Sequence, residues 1–163
     1  MHFAGLLYRA LNPVYARDPL SGAGAARYGG RFNRIGRAAL YTSLAPETAL
    51  REANQVGTLQ PTTLVAYQAD VGPLLDGREA KALVPFGMTP TLLDDPAWRD
   101  RMLSRQSVPS HDLAEAALAR GFAGILVPSY ARAAPPDALN LVLWKWIGQI
   151  KLVDDANRLG LKP

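Results

Sequence analysis

The sequence predicts a single compact α+β domain over residues 1–163, with a mixed β-sheet core and flanking helices. A chain of 163 residues is long enough to bury one core and short for two domains. Its composition, 48% apolar and 20% charged, is ordinary for a globular protein. Segments typical of strands and helices follow one another without a regular βαβ rhythm, which favours α+β over a doubly wound parallel sheet.

Apolar and β-branched runs in the first half of the chain predict strands over 5–11, 38–43 and 62–71. Residues 12–30 are rich in Pro and Gly and predict one long loop, which in a compact domain is often functional. Residues 46–56 predict a helix, because Pro46 suits a first helical turn and Gly57 suits the position after the last one.

The second half of the chain continues to mix helices and strands. Residues 72–95 contain repeated Pro and Gly and predict loops with a short helix near 78–83. In a later helix, Ser110 suits the N-cap and Gly121 suits the C-terminal stop. The remaining predicted elements are helices over 96–106 and 110–121 and strands over 122–129 and 138–153, the last region forming one strand or two.

Composition excludes several classes of protein. The chain has no cysteine, which excludes disulfides, thiolate metal sites and cysteine nucleophiles. Its two histidines, His2 and His111, are too few for a histidine-rich zinc site, so we expect no metal. No apolar run approaches the roughly 20 residues of a membrane span, and the N-terminus lacks the features of a secretion signal. We therefore expect a cytoplasmic protein that does not bind membranes.

Positive charge is concentrated in the N-terminal third, where residues 1–51 contain seven arginines and only two acidic residues. Residues 27–43 hold four of these arginines around the glycine pair 29–30. Arginine suits bidentate recognition of phosphate, and glycine lets the backbone approach another group closely. The stretch therefore indicates an anionic partner, either nucleic acid or a phosphorylated small molecule, unless it is a tight turn with solvated arginines. The arginines are Arg27, Arg31, Arg34 and Arg37.

Helix geometry distinguishes Glu52 from Glu47. At about 100° per residue, Glu47 lies nearly opposite the apolar stripe of the predicted helix, whereas Glu52 lies at its edge and would be half-buried. A half-buried carboxylate on a face of small side chains has room beside it for a ligand. An ordinary boundary glutamate paired with an arginine is the alternative interpretation. The stripe consists of Ala49, Leu50, Ala53 and Val56.

Common catalytic fingerprints are missing from the sequence. It has neither the GxxxxGK[ST] spacing nor a strand–GxGxxG–helix context, and it has no GxSxG. His111 and Asp112 begin a predicted helix, where Asp commonly helps to cap the helix, which disfavours a Ser-His-Asp triad. Carboxylates are too sparse in the predicted core for a two-carboxylate glycosidase.

Six motifs taken in order resemble the RES-domain family, the toxins of RES–Xre toxin–antitoxin pairs, named for an Arg, a Glu and a Ser. The resemblance extends over residues 5–143 and implies a single RES domain with a fold similar to ADP-ribosyltransferases. The motifs are YR (8–9), RYGGRFN (27–33), ALYTS (39–43), ETALREA (47–53), ILVPS (125–129) and ALNLVL (138–143).

The resemblance implies catalytic roles for Arg31, Tyr41 and Glu52, which match the family's GGRWN-like, YTS and helical glutamate motifs. Arg31 would anchor a pyrophosphate, and Tyr41 would stack on a ring of the substrate. Ser129 matches the family's serine after the VP strand and would hydrogen-bond near the nicotinamide ribose or amide. Further residues expected to bind the dinucleotide are Tyr28, Gly30 and Asn140. Two positions depart from the family pattern: Phe32 replaces a commoner Trp, and Trp144 replaces a second Asn.

Such proteins act on NAD as a substrate, so the resemblance implies an NAD-degrading enzyme or mono-ADP-ribosyltransferase that arrests growth. Nicotinamide leaves NAD as a neutral molecule, so no general acid is needed and one carboxylate suffices, in contrast to ordinary glycosides. Glu52 would stabilise the oxocarbenium-like transition state electrostatically. The acceptor of ADP-ribose stays open between protein, phosphate and water, with protein favoured. The implied partner is an Xre-type DNA-binding antitoxin that blocks the cleft, without direct nucleic-acid binding by this chain.

The competing interpretation is an RNA-binding or ribonuclease-type toxin. Residues 27–41 interleave basic and aromatic side chains, which could contact phosphates and stack on bases. That interpretation predicts an affinity that falls steeply with salt and survives Glu52→Gln. A catalytically dead binding domain is a third interpretation, against which the intact Arg-Tyr-Glu-Ser set argues.

Overall fold

A seven-stranded mixed sheet forms the centre of the computed structural model, which describes residues 1–55 and 58–163. Its strands lie in the order β4-β5-β6-β2-β1-β3-β7. Only the β4–β5 pair is parallel among the described strands. This architecture confirms the α+β prediction. The strands are β1 (Phe3–Leu11), β2 (Leu40–Ser43), β3 (Thr63–Val71), β4 (Leu74–Asp76), β5 (Gly124–Pro128), β6 (Leu139–Leu143) and β7 (Ile150–Leu152).

Six helices flank the sheet in the described ranges. None of them is long and apolar enough to cross a membrane. The predicted helix 46–56 ends three residues early as α2, where the side-chain amide of Asn54 donates to Leu50 O at 2.8 Å. The predicted stop at Val56 and Gly57 lies outside the described residues. The helices are α1 (Ala23–Tyr28), α2 (Pro46–Ala53), α3 (Ala80–Leu83), α4 (Pro90–Leu93), α5 (Trp98–Leu103) and α6 (Pro109–Ala119).

Three elements lie where the sequence predicts loop: helices α1 and α4 and strand β4. The predicted loop 12–30 contains helix α1, because its glycines border the helix: Gly22 is the N-cap, and Gly29 ends it with φ of 71° and an N–H bond to Ala25 O. The region also contains a 3₁₀ turn at Pro13–Tyr15. Strand β4 lies in a region predicted to be loop, and its three residues pair with the buried strand β5.

Both faces of the sheet are covered near its centre. Leu141 and Val142 are neighbours on β6 but belong to different buried clusters, because successive strand side chains point to opposite faces. Helix α6 covers the second cluster with Leu113, Ala114 and Ala117, which recur at helical spacing.

Three side chains from the sheet side hold the loop that leads from β1 to α1. Arg9 Nη1 donates to Ser21 O at 3.0 Å, and Tyr67 Oη donates to Pro19 O at 2.5 Å. Trp146 Nε1 donates at 3.0 Å to the carbonyl of residue 20, which lies between these two acceptors. These bonds fix the loop that precedes α1 against the sheet.

Candidate active site

A cleft of about 740 Å³ opens beside the central strands β1, β2 and β6. Helix α2, the turn after α1 and the start of α5 also line it. The volume lies in the range of small-molecule sites, roughly 300–1,000 Å³. Five residues predicted from the sequence line the cleft together: Gly30, Arg31, Tyr41, Glu52 and Asn140.

Two other predicted residues lie elsewhere. Ser129 does not line the cleft, but it donates a hydrogen bond to Glu52, which does line the cleft. Tyr28 is the last residue of α1 and is 62% exposed, outside the cleft lining. The guanidinium carbon of Arg27 lies 5.2 Å from the centroid of the Tyr28 ring.

The carboxylate of Glu52 accepts hydrogen bonds from three side chains. Ser129 Oγ and Asn140 Nδ2 each donate to Oε1 at 2.5 Å, and Gln55 Nε2 donates to Oε2 at 2.8 Å. Asn140 is oriented by its cross-strand partner Ser43, whose Oγ donates to Asn140 Oδ1 at 2.7 Å. Strands β2 and β6 and the end of β5 therefore position one carboxylate of α2 at the cleft.

The buried face of α2 explains why Glu52 points inward. Thr48 and Ala49 are buried against the sheet, Glu52 is half-buried and Glu47 is exposed, as the helix geometry predicts for the two glutamates. The predicted stripe is wrong at Ala53, which is exposed because it borders the open cleft.

Residues 30–33 form a tight turn at the cleft. Gly30 N–H donates to Asn33 O at 3.0 Å, and Asn33 N–H donates to Gly30 O at 3.3 Å. A Cβ at Gly30 would collide with the hydroxyl of Tyr41 and with Asn33 Oδ1, so this position requires glycine. The close approach expected at the glycine pair is thus present, and the group approached is the protein's own Tyr41.

The first three carbonyls of this turn each accept a hydrogen bond from a buried side chain. His111 Nε2 donates to the carbonyl of residue 30 at 2.7 Å. Ser110 Oγ donates to the carbonyl of residue 31 at 2.5 Å, and Trp144 Nε1 donates to the carbonyl of residue 32 at 2.9 Å. The prediction of Ser110 as an N-cap is wrong, because α6 begins at Pro109 after Val108 and the Ser110 hydroxyl binds the turn. Trp144, which departs from the family pattern, is therefore a support of the turn.

Asn33 connects the turn to its surroundings and is fully buried. Its Oδ1 accepts from Tyr41 Oη at 2.7 Å, and the same hydroxyl accepts from Phe32 N–H at 3.0 Å. Burial raises the pKa of Tyr41 above its ordinary value. The Tyr41 hydroxyl thus holds the turn while its ring lines the cleft. Asn33 Nδ2 donates to the carbonyls of Ala25, Arg34 and Arg37 at 2.8, 3.3 and 2.9 Å.

Arg31 occupies the corner of the turn and touches the segment that leads into α5. Its Nη1 donates to Leu93 O at 3.1 Å and to Asp95 O at 2.9 Å. Its guanidinium carbon lies 4.6 Å from the ring centroid of Tyr130 and 5.8 Å from that of Trp98. Burial lowers the pKa of Arg31, although the neighbouring tyrosine and carboxylates oppose this effect. Among the described residues, Nε and Nη2 have no hydrogen-bond partner, which leaves two donors for a ligand.

The other two arginines after the turn are engaged by α6. Arg37 forms a bidentate pair with Glu115 through bonds of 3.0 and 2.8 Å. Arg34 Nη2 lies 3.2 Å from Asp112 Oδ1, and its Nε lies 3.6 Å from Glu115 Oε1. The hydrogen bond from Arg37 lowers the pKa of Glu115. Both arginines therefore tie the turn to α6.

Charge in the cleft favours an anionic ligand, because arginines outnumber carboxylates in its lining. In the part of the chain that the structure describes, no group of three or more His, Asp or Glu side chains is arranged to hold a metal ion. The charged lining residues are Arg9, Arg31, Glu52, Arg99 and Asp100.

The buried His111 makes the stability of the turn depend on pH. Burial is the main cause that lowers the pKa of His111, and the positive charge of Arg34 lowers it further. The hydrogen bond to the Gly30 carbonyl and the negative charges of Asp112 and Glu115 act in the opposite direction. The unfolded chain therefore binds this proton more readily than the folded chain. The stability that neutral His111 contributes is complete above its ordinary pKa of about 6.5 and is lost as the pH falls below it.

We expect the melting temperature of the wild type to fall between about pH 7 and pH 5, and His111→Gln to flatten this dependence. Thermal unfolding followed by circular dichroism over that pH range measures both slopes. His2→Gln is the matched control, because His2 is exposed and touches Asp70 on the sheet rather than the turn. Equal slopes for wild type and His111→Gln would contradict the prediction.

Four residues of the site were not predicted from the sequence: Asn33, Ser43, Trp98 and Tyr130. The positions of Asn33 after a glycine turn and of Tyr130 after Ser129 are the local signals that could have indicated these two residues, and both signals are weak. Nothing in the local sequence connects Trp98 to Arg31, because their contact depends on the path of the chain between α4 and α5.

Comparisons with known proteins agree on one family. A family model described as the RES domain matches residues 6–155, which include every cleft residue named above. Among solved structures, a chain of the crystal structure of the M. tuberculosis MbcT–MbcA toxin–antitoxin complex is similar, with a TM-score of 0.64 and 21% sequence identity. The match covers 94% of this chain and 84% of that chain, and at this identity it shows the fold. No curated protein matches the chain.

Proposed function

This chain belongs to the RES-domain family, and on that premise we propose that it is an enzyme that binds NAD and cleaves its nicotinamide–ribose bond. The observation that carries the proposal is the carboxylate of Glu52, which is held by Ser129 and Asn140 in a cleft that also contains Arg31. One oriented carboxylate and one partly free guanidinium are the groups that this reaction needs.

The chemistry assigns each group a role. The electron pair of the C1′–N bond passes to the nicotinamide nitrogen and cancels its positive charge, so the leaving group needs no proton. The ribose gains oxocarbenium character, which the Glu52 carboxylate stabilises from a fixed position. The acceptor then forms a bond to C1′, and a water or protein acceptor releases its proton to solvent. Nε and Nη2 of Arg31 donate to the pyrophosphate.

A protein is the favoured acceptor, and phosphate and water are the alternatives. The cleft borders α2 and α5 at the surface, which gives a macromolecule access to its edge. We further propose that the protein is the toxin of a toxin–antitoxin pair whose activity arrests growth. Its partner in this proposal is an antitoxin of the Xre type that covers the cleft. The fold shared with a chain of the MbcT–MbcA toxin–antitoxin complex supports an antitoxin as the partner.

The arrangement of the basic stretch favours NAD over RNA. Arg34 and Arg37 pair with carboxylates of α6, so less of the charge between residues 27 and 41 is available to a nucleic-acid backbone. Arg31 is half-buried and its Nη1 is bound to backbone carbonyls. A half-buried anion-binding corner at Arg31 suits a small ligand better than an extended polynucleotide.

A time course of NAD with the purified protein tests the proposal. A toxic protein is purified with its antitoxin and then separated from it. Nicotinamide release is followed by NMR or chromatography in phosphate and in phosphate-free buffer, and labelled NAD is incubated with cell lysate in parallel. Release that requires phosphate identifies phosphorolysis, and label transferred to protein identifies ADP-ribosylation. RNA cleavage without nicotinamide release in any of these conditions would refute the proposal.

Arg31→Lys is expected to lower kcat/KM for NAD by about 10- to 100-fold, because charge-assisted hydrogen bonds contribute roughly 1.5–3 kcal/mol. A lysine has one point charge and cannot bind two carbonyls while offering two further donors in a plane. Steady-state kinetics of nicotinamide release measures the change. Arg37→Lys is the matched control from the same stretch, since Arg37 pairs with Glu115 outside the cleft. Similar kinetics for the two variants would contradict the role of Arg31.

A further inference from the structure

Trp98 differs from the other two tryptophans of the chain. Trp144 and Trp146 are buried, and each indole N–H donates to a backbone carbonyl. Trp98 is half-buried, lines the cleft, and its indole N–H has no hydrogen-bond partner among the described residues. A large aromatic side chain at a cleft with a free donor has the two properties by which proteins hold a planar heterocycle.

The segment that carries Trp98 is fixed from both sides. Arg31 Nη1 binds the carbonyls of Leu93 and Asp95 just before it. The Asp95 carboxylate accepts from Ala97 N–H at 2.9 Å and pairs with Arg101 Nε at 3.3 Å. The backbone that carries the ring is therefore held in place before a ligand arrives, which reduces the entropy cost of binding.

A series of contacts beside the cleft leads from Glu52 to Trp98. Glu52 binds Ser129, the next residue Tyr130 lies against Arg31, and Arg31 lies against Trp98. If Glu52 faces the reacting ribose and Arg31 the pyrophosphate, the ring of Trp98 lies beyond the phosphates. The part of a dinucleotide beyond the phosphates is the second nucleoside and its base.

We propose that Trp98 is a substrate-binding residue that stacks on the adenine ring of the substrate, an inference that rests on the proposed function. The guanidinium carbon of Arg99 lies 5.1 Å from the Trp98 ring, and Arg99 is exposed, so its side chain can yield its place to a base. Stacking of a base on an aromatic ring needs no particular hydrogen-bond pattern, while the free indole N–H and Arg99 can contact the adjoining ribose and phosphate.

Calorimetric titration with ADP-ribose and with nicotinamide mononucleotide tests this assignment on the full chain. ADP-ribose contains adenine, whereas nicotinamide mononucleotide contains only the half of NAD that would face Glu52. Trp98→Ala is expected to weaken ADP-ribose binding by roughly 5- to 150-fold and to leave nicotinamide mononucleotide binding unchanged. Trp98→Phe is expected to retain most of the ADP-ribose affinity, because it keeps an aromatic face.

Leu103→Ala is the matched control, since Leu103 ends the same helix, is exposed and does not line the cleft. Equal weakening of both ligands by Trp98→Ala, or unchanged ADP-ribose binding, would overturn the assignment. The two proposals fail separately. If ADP-ribose binding depends on Trp98 but no nicotinamide is released, the adenine site is supported and the proposed reaction is refuted. If nicotinamide is released but ADP-ribose binding does not depend on Trp98, the proposed reaction is supported and the adenine site is refuted.

Discussion

Glu52→Gln is expected to lower the rate of nicotinamide release by about 10²–10³-fold while the fold survives. The change removes the negative charge that faces the oxocarbenium-like transition state but keeps the size of the side chain. Its amide oxygen can still accept from Ser129 Oγ and Asn140 Nδ2, so the network that orients α2 toward the sheet persists. The loss should appear in kcat more than in KM, since the charge acts in the transition state.

Single-turnover chromatography of nicotinamide, together with thermal unfolding, measures both parts of this prediction. Glu47→Gln makes the same chemical change on the same helix at an exposed position, and should leave both quantities unchanged. If Glu52→Gln cleaves NAD at the wild-type rate, Glu52 is not the catalytic carboxylate. If it unfolds, its hydrogen bonds are structural and the kinetic comparison must use Glu52→Asp, which keeps the charge and shortens the reach.

The elements predicted correctly are those that local chemistry determines. Strand β3 alternates apolar and polar residues, and helix α2 begins at a proline, so each is specified by its own segment. Strand β4 has three residues between a proline and a glycine and forms because it pairs with β5 far along the chain. Helix α1 was missed for a related reason. The glycines around it predict a loop, but in the structure Gly22 and Gly29 border the helix at its two ends.

The site was predictable where family motifs name its residues, and unpredictable where only the tertiary path brings residues together. The half-buried position of Glu52 follows from helix periodicity, but its bonds to Ser129 and Asn140 depend on the arrangement of β5, β6 and β2. The glycine pair and the four arginines around Arg31 indicated an anionic partner that the backbone could approach closely, with Arg31 as the anchor of a pyrophosphate. In the structure Gly30 accommodates Tyr41, and of the four arginines between residues 27 and 37 only Arg31 lines the cleft.

The turn that presents Arg31 depends on Asn33, and Asn33→Asp is expected to destabilise the protein by about 3–5 kcal/mol at neutral pH. Asn33 Nδ2 donates to three backbone carbonyls in a fully buried position. A carboxylate of the same shape would place negative charge against those three acceptors and satisfy none of them. Burial raises the pKa of the introduced carboxyl, so the variant should be most stable in acid and lose stability as the pH rises.

Urea unfolding of wild type and Asn33→Asp at about pH 4 and about pH 7 measures this effect and its sign. Asn157→Asp makes the same chemical change at an exposed position and should stay within about 0.5 kcal/mol of wild type. Because Asn33 Oδ1 also accepts from Tyr41 Oη, a displaced turn would carry Arg31 away from the cleft and raise KM for NAD as well. A loss no larger than that of Asn157→Asp would mean that the carbonyls find other donors, and that the turn is held chiefly by His111, Ser110 and Trp144.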